Sequence, residues 1–412
     1  RLDNASKVFP ATYHNKDTKV FRATCELTED VDSEVLQQAL DITMESFTLY
    51  KAVLRRGVFW YYLESTDIRP IVEIESLPVC APIYIKDKRN LLFRVYYYYK
   101  RINVEIFHAL SDGTGALWFI QNLVHHYLII KHTEIFEFNK PKLRYNVSLS
   151  EKMNDSFQRH FTGDNAFPHI NKIKNIKAYH IRGTRFEENK TLLIEGSMSA
   201  KAVLEEAHKY QTTLTIFIAA VFIYSICKDM TASVKKRPIV LSVPINLRQF
   251  YESDTTRNFF TTMNAGYNFT KGNIGIEDII DSIKNDFKGG ITEEKISMKI
   301  NRLLALEKNI LTKVMPLPLK DFFIRAANKI NDREITGATS NIGKIEMPVE
   351  FDPYIKQFSF CTSARRPQIT ICTYRDRLVI SFTSPFRETE IQKSIFQFLS
   401  KKGIDVEISS NS

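Results

Sequence analysis

Val104-Glu105-Ile106-Phe107-His108-Ala109-Leu110-Ser111-Asp112-Gly113 is the stretch on which the reading of this chain turns. Its first four residues alternate in the manner of a β-strand. The residues that follow, Ala116-Leu117-Trp118-Phe119-Ile120-Gln121-Asn122-Leu123-Val124, read as a mostly buried helix. His108, Asp112 and Gly113 therefore fall on a strand-to-helix turn, where a rigid scaffold can hold a histidine at the mouth of a cleft. A glycine at such a turn is expected to take backbone angles that other residues resist. Neutral imidazole titrates near neutral pH, so His108 is suited to accept a proton from an attacking nucleophile.

At 412 residues the chain exceeds the size at which one hydrophobic core usually keeps growing, and two domains are expected. Hydrophobic residues at 44%, charged at 25% and aromatic at 12% place it among globular proteins rather than disordered or fibrous ones. The longest apolar stretch, residues 214–227, is shorter than a membrane span and is closed by Lys228 and Asp229, so a buried helix is expected there and no transmembrane segment. Arg1-Leu2-Asp3-Asn4-Ala5-Ser6 carries no apolar signal core and no initiating methionine; the expectation is a cytoplasmic protein. The cysteines Cys25, Cys80, Cys227, Cys361 and Cys372 are scattered and contain no CxxC pair, which favours buried thiols over a disulfide framework or a thiolate metal site.

The net charge of +10 suits a nucleic acid, an anionic surface or a phosphate-bearing cofactor. The basic residues occur in short groups such as Lys86-Asp87-Lys88-Arg89, Lys235-Lys236-Arg237 and Arg365-Arg366, with no long basic arm, so no nucleic-acid partner is expected. The remaining histidines, among them the tandem His125 and His126, lack metal-ligand spacing, and no metal is expected.

Strand-like and helical segments interleave along the chain, as in a mixed α/β protein. A strand over Val20–Leu27 leads to a helix capped by Asp32 or Ser33, then to strands at residues 57–64 and 91–99 and to the strand before His108. Periodicity weakens between Leu143 and Lys190. It restarts with a strand at residues 191–196, helices at 199–211 and 214–227, a strand ending near Arg248, helices at 276–288 and 293–307, and a hairpin around Arg375-Asp376. This divides the chain into residues 1–165, a crossover segment at 166–190, and residues 191–412. The aromatic residues Tyr96 to Tyr99 and Phe259-Phe260 read as core or sheet faces.

Two further segments carry polar residues at the ends of β-rich runs: Pro244-Ile245-Asn246-Leu247-Arg248 and Thr339-Ser340-Asn341-Ile342-Gly343. With His108-x-x-x-Asp112-Gly113 they occur in the order found in the chloramphenicol acetyltransferase-like superfamily, which the chain resembles over most of its length. The likeness is strongest to alcohol acetyltransferase-like and condensation-domain-like members. It implies two α/β sandwich domains with an active-site channel between them and His108 inside.

The resemblance also implies residue roles. His108 would be the general base, with no acyl-enzyme. Asp112 would be structural, paired with Arg248, and Gly113 would keep the channel clear. The tetrahedral intermediate needs a donor for its oxyanion; Ser340 and Asn341 are the candidates, and Asn258 is a further one that would line the channel. Ser111 lacks the G-x-S-x-G context of a covalent nucleophile. The implied activity is transfer of an acyl group from acyl-CoA, a co-substrate rather than a bound cofactor, to a small-molecule alcohol or amine. A site within one chain makes a monomer sufficient. A condensation-type protein fed by a separate carrier protein is the alternative enzyme, and an inactive binding protein of the same fold is the alternative outside catalysis.

Overall fold

The computed structural model describes residues 2–138, 140–143, 155–161, 177–187, 190–231, 237–269 and 275–411. Most of the crossover segment expected at 166–190 lies outside the described residues. The first sheet has five strands in the order β11 (Ile355–Thr362), β1 (Val20–Leu27), β6 (Arg101–Phe107), β5 (Phe93–Tyr98), β4 (Val72–Ile74). β1 runs antiparallel to both its neighbours, with Val20 opposite Phe107 and Phe21 opposite Thr362. Its core is shared with α2 (Ser33–Ser46) and α3 (Gly113–Lys131), through Leu36, Leu40, Phe119, Leu123 and Tyr127. Asp32 starts α2 by accepting from the Glu34 and Val35 amides at 3.0 and 3.2 Å. β11 comes from late in the chain, so a cut near 166–190 does not partition the sheets: the later half lends the first sheet an edge strand.

Across β1, β6 and β5, alternation lines up Arg22, Glu105 and Arg94 on one face. Glu105 is fully buried and is neutralised from both sides. Its Oε1 accepts from Arg22 Nη2 at 2.7 Å and from the Cys80 amide at 2.6 Å, and its Oε2 accepts from Arg94 Nη2 at 2.6 Å. Arg22 Nη1 also meets Glu75 at 2.7 Å. The five cysteines are buried and form no disulfide.

The second sheet has seven strands in the order β14 (Glu407–Ser410), β7 (Leu192–Ser199), β13 (Arg377–Ser384), β12 (Gln368–Tyr374), β10 (Gly337–Ile345), β8 (Ile239–Asn246), β9 (Phe260–Tyr267). β10 is parallel to β12 and, over two residues only, to β8. The apolar run after Thr213 forms the Leu214–Asp229 helix, buried almost all round and packed by the Ile276–Gly290 and Glu390–Lys401 helices. Among the described residues no single helix is long and apolar enough to cross a membrane. Ser199 caps the Ala200–Lys209 helix, and Arg375, at φ 54°, turns the β12–β13 hairpin.

Two local readings change. The strand expected from Gly57 begins at Tyr61, because residues 57–60 turn between β2 (Ala52–Arg56) and β3 (Tyr61–Ser65), with the Gly57 amide donating to Trp60 O at 3.0 Å. A Cβ on Gly57 would lie 2.8 Å from that same oxygen, so the glycine belongs to the turn. The Leu317–Asp332 helix has no counterpart in the sequence reading. It buries Lys320 and Asp321 while showing Leu319, Phe322 and Phe323 to solvent, so its apolar stripe does not mark a core face.

Removing the buried charge from between the two cations leaves Arg94 without its carboxylate and Arg22 with Glu75 alone. Glu105→Gln is expected to cost about 3–5 kcal/mol of stability, read as a lowered urea midpoint; an unchanged midpoint would contradict the buried network.

Candidate active site

β6 ends at Phe107 and α3 begins at Gly113, so the motif occupies the intervening turn. Asp112 is the N-cap of α3, its Oδ1 accepting from the Gly115 amide at 2.9 Å. Its Oδ2 accepts from the Phe259 amide at 2.8 Å and from Arg248 Nη1 at 2.8 Å. Both side chains are buried. Arg248 Nη2 continues to the carbonyls of Thr255 and Arg257 at 2.7 and 2.8 Å, and Trp118 lies 5.4 Å from the guanidinium. Asn246 accepts from the Arg248 amide at 3.1 Å and donates to Thr114 Oγ1 at 3.2 Å, joining the end of β8 to the motif.

This clamp lays residues 255–260 against His108. The imidazole is enclosed by aromatic rings, stacked on Phe9 at 4.3 Å and 12°, with Phe21 at 5.0 Å and Phe260 at 5.5 Å. Phe260 thus belongs to the site, whereas its neighbour Phe259 is core. His108 Nδ1 lies 3.1 Å from Asn258 Oδ1. The Asn258 amide nitrogen donates to His108 O and to Ser6 Oγ, both at 2.8 Å, and Ser6 Oγ donates to Asp3 Oδ2 at 2.6 Å. Donors and acceptors fit one direction only. Nδ1 carries the proton and donates to Asn258, leaving the Nε2 lone pair free of this chain of bonds. Burial holds the imidazole below its usual value, against the opposing charge of Asp112, so the neutral base is the resting form near pH 7. Burial also lifts the Asp3 carboxyl to about 6, opposed by Arg257.

The remaining residues named from the sequence separate in role. Asn258 bonds to the Nδ1 side of His108 rather than lining open space. Asn341 donates to Thr215 Oγ1 at 2.9 Å and accepts from the Gly343 amide at 2.8 Å, so both ends of its amide are engaged. Ile342 sits where the β10–β12 register shifts, between Asn341 and Gly343, and its Cδ1 lies 3.0 Å from the position of a Cβ on Gly113; Ser340 precedes this irregularity on β10. Ser340 is half-buried there. Gly113 starts a regular helix, without the positive φ expected of it; its constraint is the approach of Ile342. Gly115 is tighter still, since a Cβ would lie 2.2 Å from both Ser111 Oγ and Thr256 O. Ser111 is buried and spends its hydroxyl on Thr256 O at 2.5 Å.

No family model and no curated protein sequence matches the chain. Solved structures do match. Polyketide synthase associated protein 5 from Mycobacterium tuberculosis superposes with a TM-score of 0.63, covering 97% of this chain and 96% of that one at 14% identity. TRI3 trichothecene 15-O-acetyltransferase from Fusarium sporotrichioides gives 0.64, with 98% and 94% covered at 10% identity. A mutant starter condensation domain of rhizomide synthetase, in complex with C8-CoA and Leu-SNAC, gives 0.62, with 97% and 93% covered at 10% identity. The chain has the condensation-domain and acyltransferase fold.

Within that fold, Asp3, Ser6 and Phe9 were not anticipated from the sequence. They lie in an N-terminal segment with no periodic pattern, and only the folded chain brings them to His108. A buried polar side chain so early in the chain carries no local signal that would have singled it out.

Asp112→Asn removes the charge that Arg248 neutralises and is expected to destabilise by about 3–5 kcal/mol. Gly115→Ala, by forcing Thr256 and Ser111 apart, should cost about 1–3 kcal/mol. Both are read by chemical denaturation, and an Asp112→Asn protein as stable as the parent would refute the clamp.

The histidines give a pH dependence of definite sign. Burial lowers His108, His125 and His180 below 6.5 and His126 to about 4. Unfolding therefore takes up protons as pH falls below 6.5, and stability drops with acid over that range. Asp3 acts oppositely, losing stability as pH rises from 3.8 to about 6. Burial raises Asp229 and Asp286 as well, and they act in the same sense as Asp3. The four histidines outnumber these three carboxyls, so the melting temperature should be lower at about pH 5 than at about pH 7; a level curve would contradict this assignment.

Proposed function

We propose that the chain is an acyltransferase that moves an acyl group from acyl-CoA to a hydroxyl or amine, with His108 as general base and no acyl-enzyme. The observation that carries this reading is the buried, neutral imidazole whose Nδ1 is tied to Asn258, so that Nε2 is the basic atom. In the proposed reaction the acceptor O–H or N–H gives its proton to Nε2 as the heteroatom attacks the thioester carbonyl. The tetrahedral intermediate collapses, the C–S bond breaks, and the imidazolium returns the proton to the departing thiolate. Ser340 would donate to the oxyanion. Ser111 is already committed to a backbone carbonyl, which counts against a covalent serine.

A cavity of about 610 Å³ beside α1 (Val8–Thr12) supports a phosphate-bearing donor. Lys16, Arg185, Arg325, Lys329 and Arg365 line it, together with Ala11 and Thr12 of α1 itself. The same short helix carries Phe9, which stacks on His108. A carrier-protein thioester in place of free CoA is the second reading, favoured by the likeness to condensation domains over nearly the whole chain.

Thiol release from acetyl-CoA and longer acyl-CoA esters, with a panel of alcohols and amines, tests the reading. His108→Ala should lower turnover by about 10²–10⁴-fold, and Ser340→Ala by on the order of 10²-fold. Asn258→Ala, which frees the imidazole to turn, should lower kcat by roughly 10-fold or more with little change in KM. Thiol release that survives His108→Ala unchanged would overturn the proposal. Activity with an acylated carrier protein alone would replace CoA by the second reading.

A further inference from the structure

The helices Glu293–Lys308, Ile310–Val314 and Leu317–Asp332 present an apolar surface to solvent. Ile310 and Leu311 are 76% and 74% exposed, Val314 60%, Phe322 63% and Phe323 53%. The Ile310–Val314 helix buries none of its residues. The Leu317–Asp332 helix is inverted. Leu319, Phe322, Phe323 and Ile330 follow helical spacing on the solvent side, while Lys320 and Asp321 are buried.

The inversion is fixed by specific bonds. Lys320 Nζ donates to Phe59 O at 2.8 Å and sits 3.4 Å over the Trp60 ring, and Asp321 accepts from Tyr61 Oη at 2.8 Å. The Leu317 amide donates to Val58 O at 2.8 Å, which sets the exposed Val58 and Phe59 beside the helix. Lys320 and Asp321 are thus spent on the β2–β3 hairpin, and the apolar side chains beside them are held outward. Globular proteins rarely gather this many large apolar side chains at the surface without a binding role.

The charges around the surface specify what it meets. Residues 302–319 hold Arg302, Lys308 and Lys313, all exposed, against a single acid, Glu307. Glu307 is neutralised by Lys7 at 2.5 Å. Exposed apolar side chains interspersed with exposed cations match an anionic bilayer, where the apolar groups enter the headgroup boundary and the cations meet lipid phosphates and carboxylates.

We propose that this face docks the protein on an anionic lipid surface, with the Ile310–Val314 helix leading. The inference stands apart from the acyl-transfer reading, because it uses none of the site residues. α1 packs against the Leu317–Asp332 helix, so docking would set the side of the molecule that carries Phe9 near the lipid.

Flotation of the full chain with vesicles tests it, using phosphatidylcholine alone and phosphatidylcholine mixed with phosphatidylserine. The chain should float with the mixed vesicles and weaken by roughly tenfold with the neutral ones or at high salt. Ile310→Glu with Leu311→Glu touches no buried position, so the variant should keep its melting temperature and lose vesicle binding by about tenfold or more. The proposal is overturned by failure to float with either vesicle, or by a double variant that binds as the parent does. It is equally overturned by a dimer seen in sedimentation without vesicles that the same substitutions abolish, which would assign the face to a second copy.

Discussion

Four donors converge on the buried carboxylate of Asp112: the amides of Gly115 and Phe259 and two nitrogens of Arg248. They come from three separate stretches of chain. A buried carboxylate must be neutralised, and the guanidinium that neutralises it must place its other hydrogens on acceptors, here the carbonyls of Thr255 and Arg257. One arrangement of the motif turn, the end of β8 and residues 255–259 satisfies both demands. The net stabilisation from such a pair is small compared with the cost of breaking it, so its effect is to select an arrangement. Asn258 and Phe260 reach His108 because the residues on either side of Asn258 are held in this way.

The same geometry separates two carboxylates that a triad would merge. Asp112 acts on His108 through space, lifting its proton affinity against burial, but bonds to the backbone and Arg248. The carboxylate connected to the imidazole by hydrogen bonds is Asp3, through Ser6 and Asn258. An amide in the middle of that chain orients dipoles and does not exchange a proton with imidazole. The chain therefore fixes the tautomer and favours a positive charge on the ring without accepting its proton. Asp3 need not be fully ionised to do this, which fits a carboxyl lifted to about 6 by burial.

What the sequence made legible was local. Val20–Leu27 alternates, Asp32 and Ser199 cap, and residues 214–227 are apolar on every side, so those elements follow from near neighbours. The place of β11 in the first sheet depends on pairing with a strand more than 300 residues earlier, Phe21 with Thr362. Nothing within Ile355–Thr362 encodes that partner. The site shows the same limit: the family resemblance implied a base at His108 and a pair between Asp112 and Arg248, but amide chemistry alone did not distinguish Asn258, bonded to the imidazole, from Asn341, bonded to Thr215. Gly113 and Gly115 also look alike in sequence, and only the approach of Thr256 makes Gly115 the more constrained.

The Leu317–Asp332 helix unites features that periodicity alone would assign to different proteins. Its buried Lys320 and Asp321 anchor it, its apolar stripe faces solvent, and farther along Arg325 and Lys329 line the cavity beside α1. Arg325 Nε is fixed by Ala11 O at 2.7 Å, which ties that cavity wall to the helix carrying Phe9. Elsewhere on the lining, burial together with the charges of Arg365 and Arg366 depresses Arg185 below the usual arginine range. Cations gathered in this way repel one another, and two acids, Asp17 on the lining and Asp332 paired with Arg365 and Arg366, offset only part of that charge. A multiply charged anion in the cavity would relieve the repulsion that folding alone leaves in place, and its favourable energy there would come as much from that relief as from the contacts it makes.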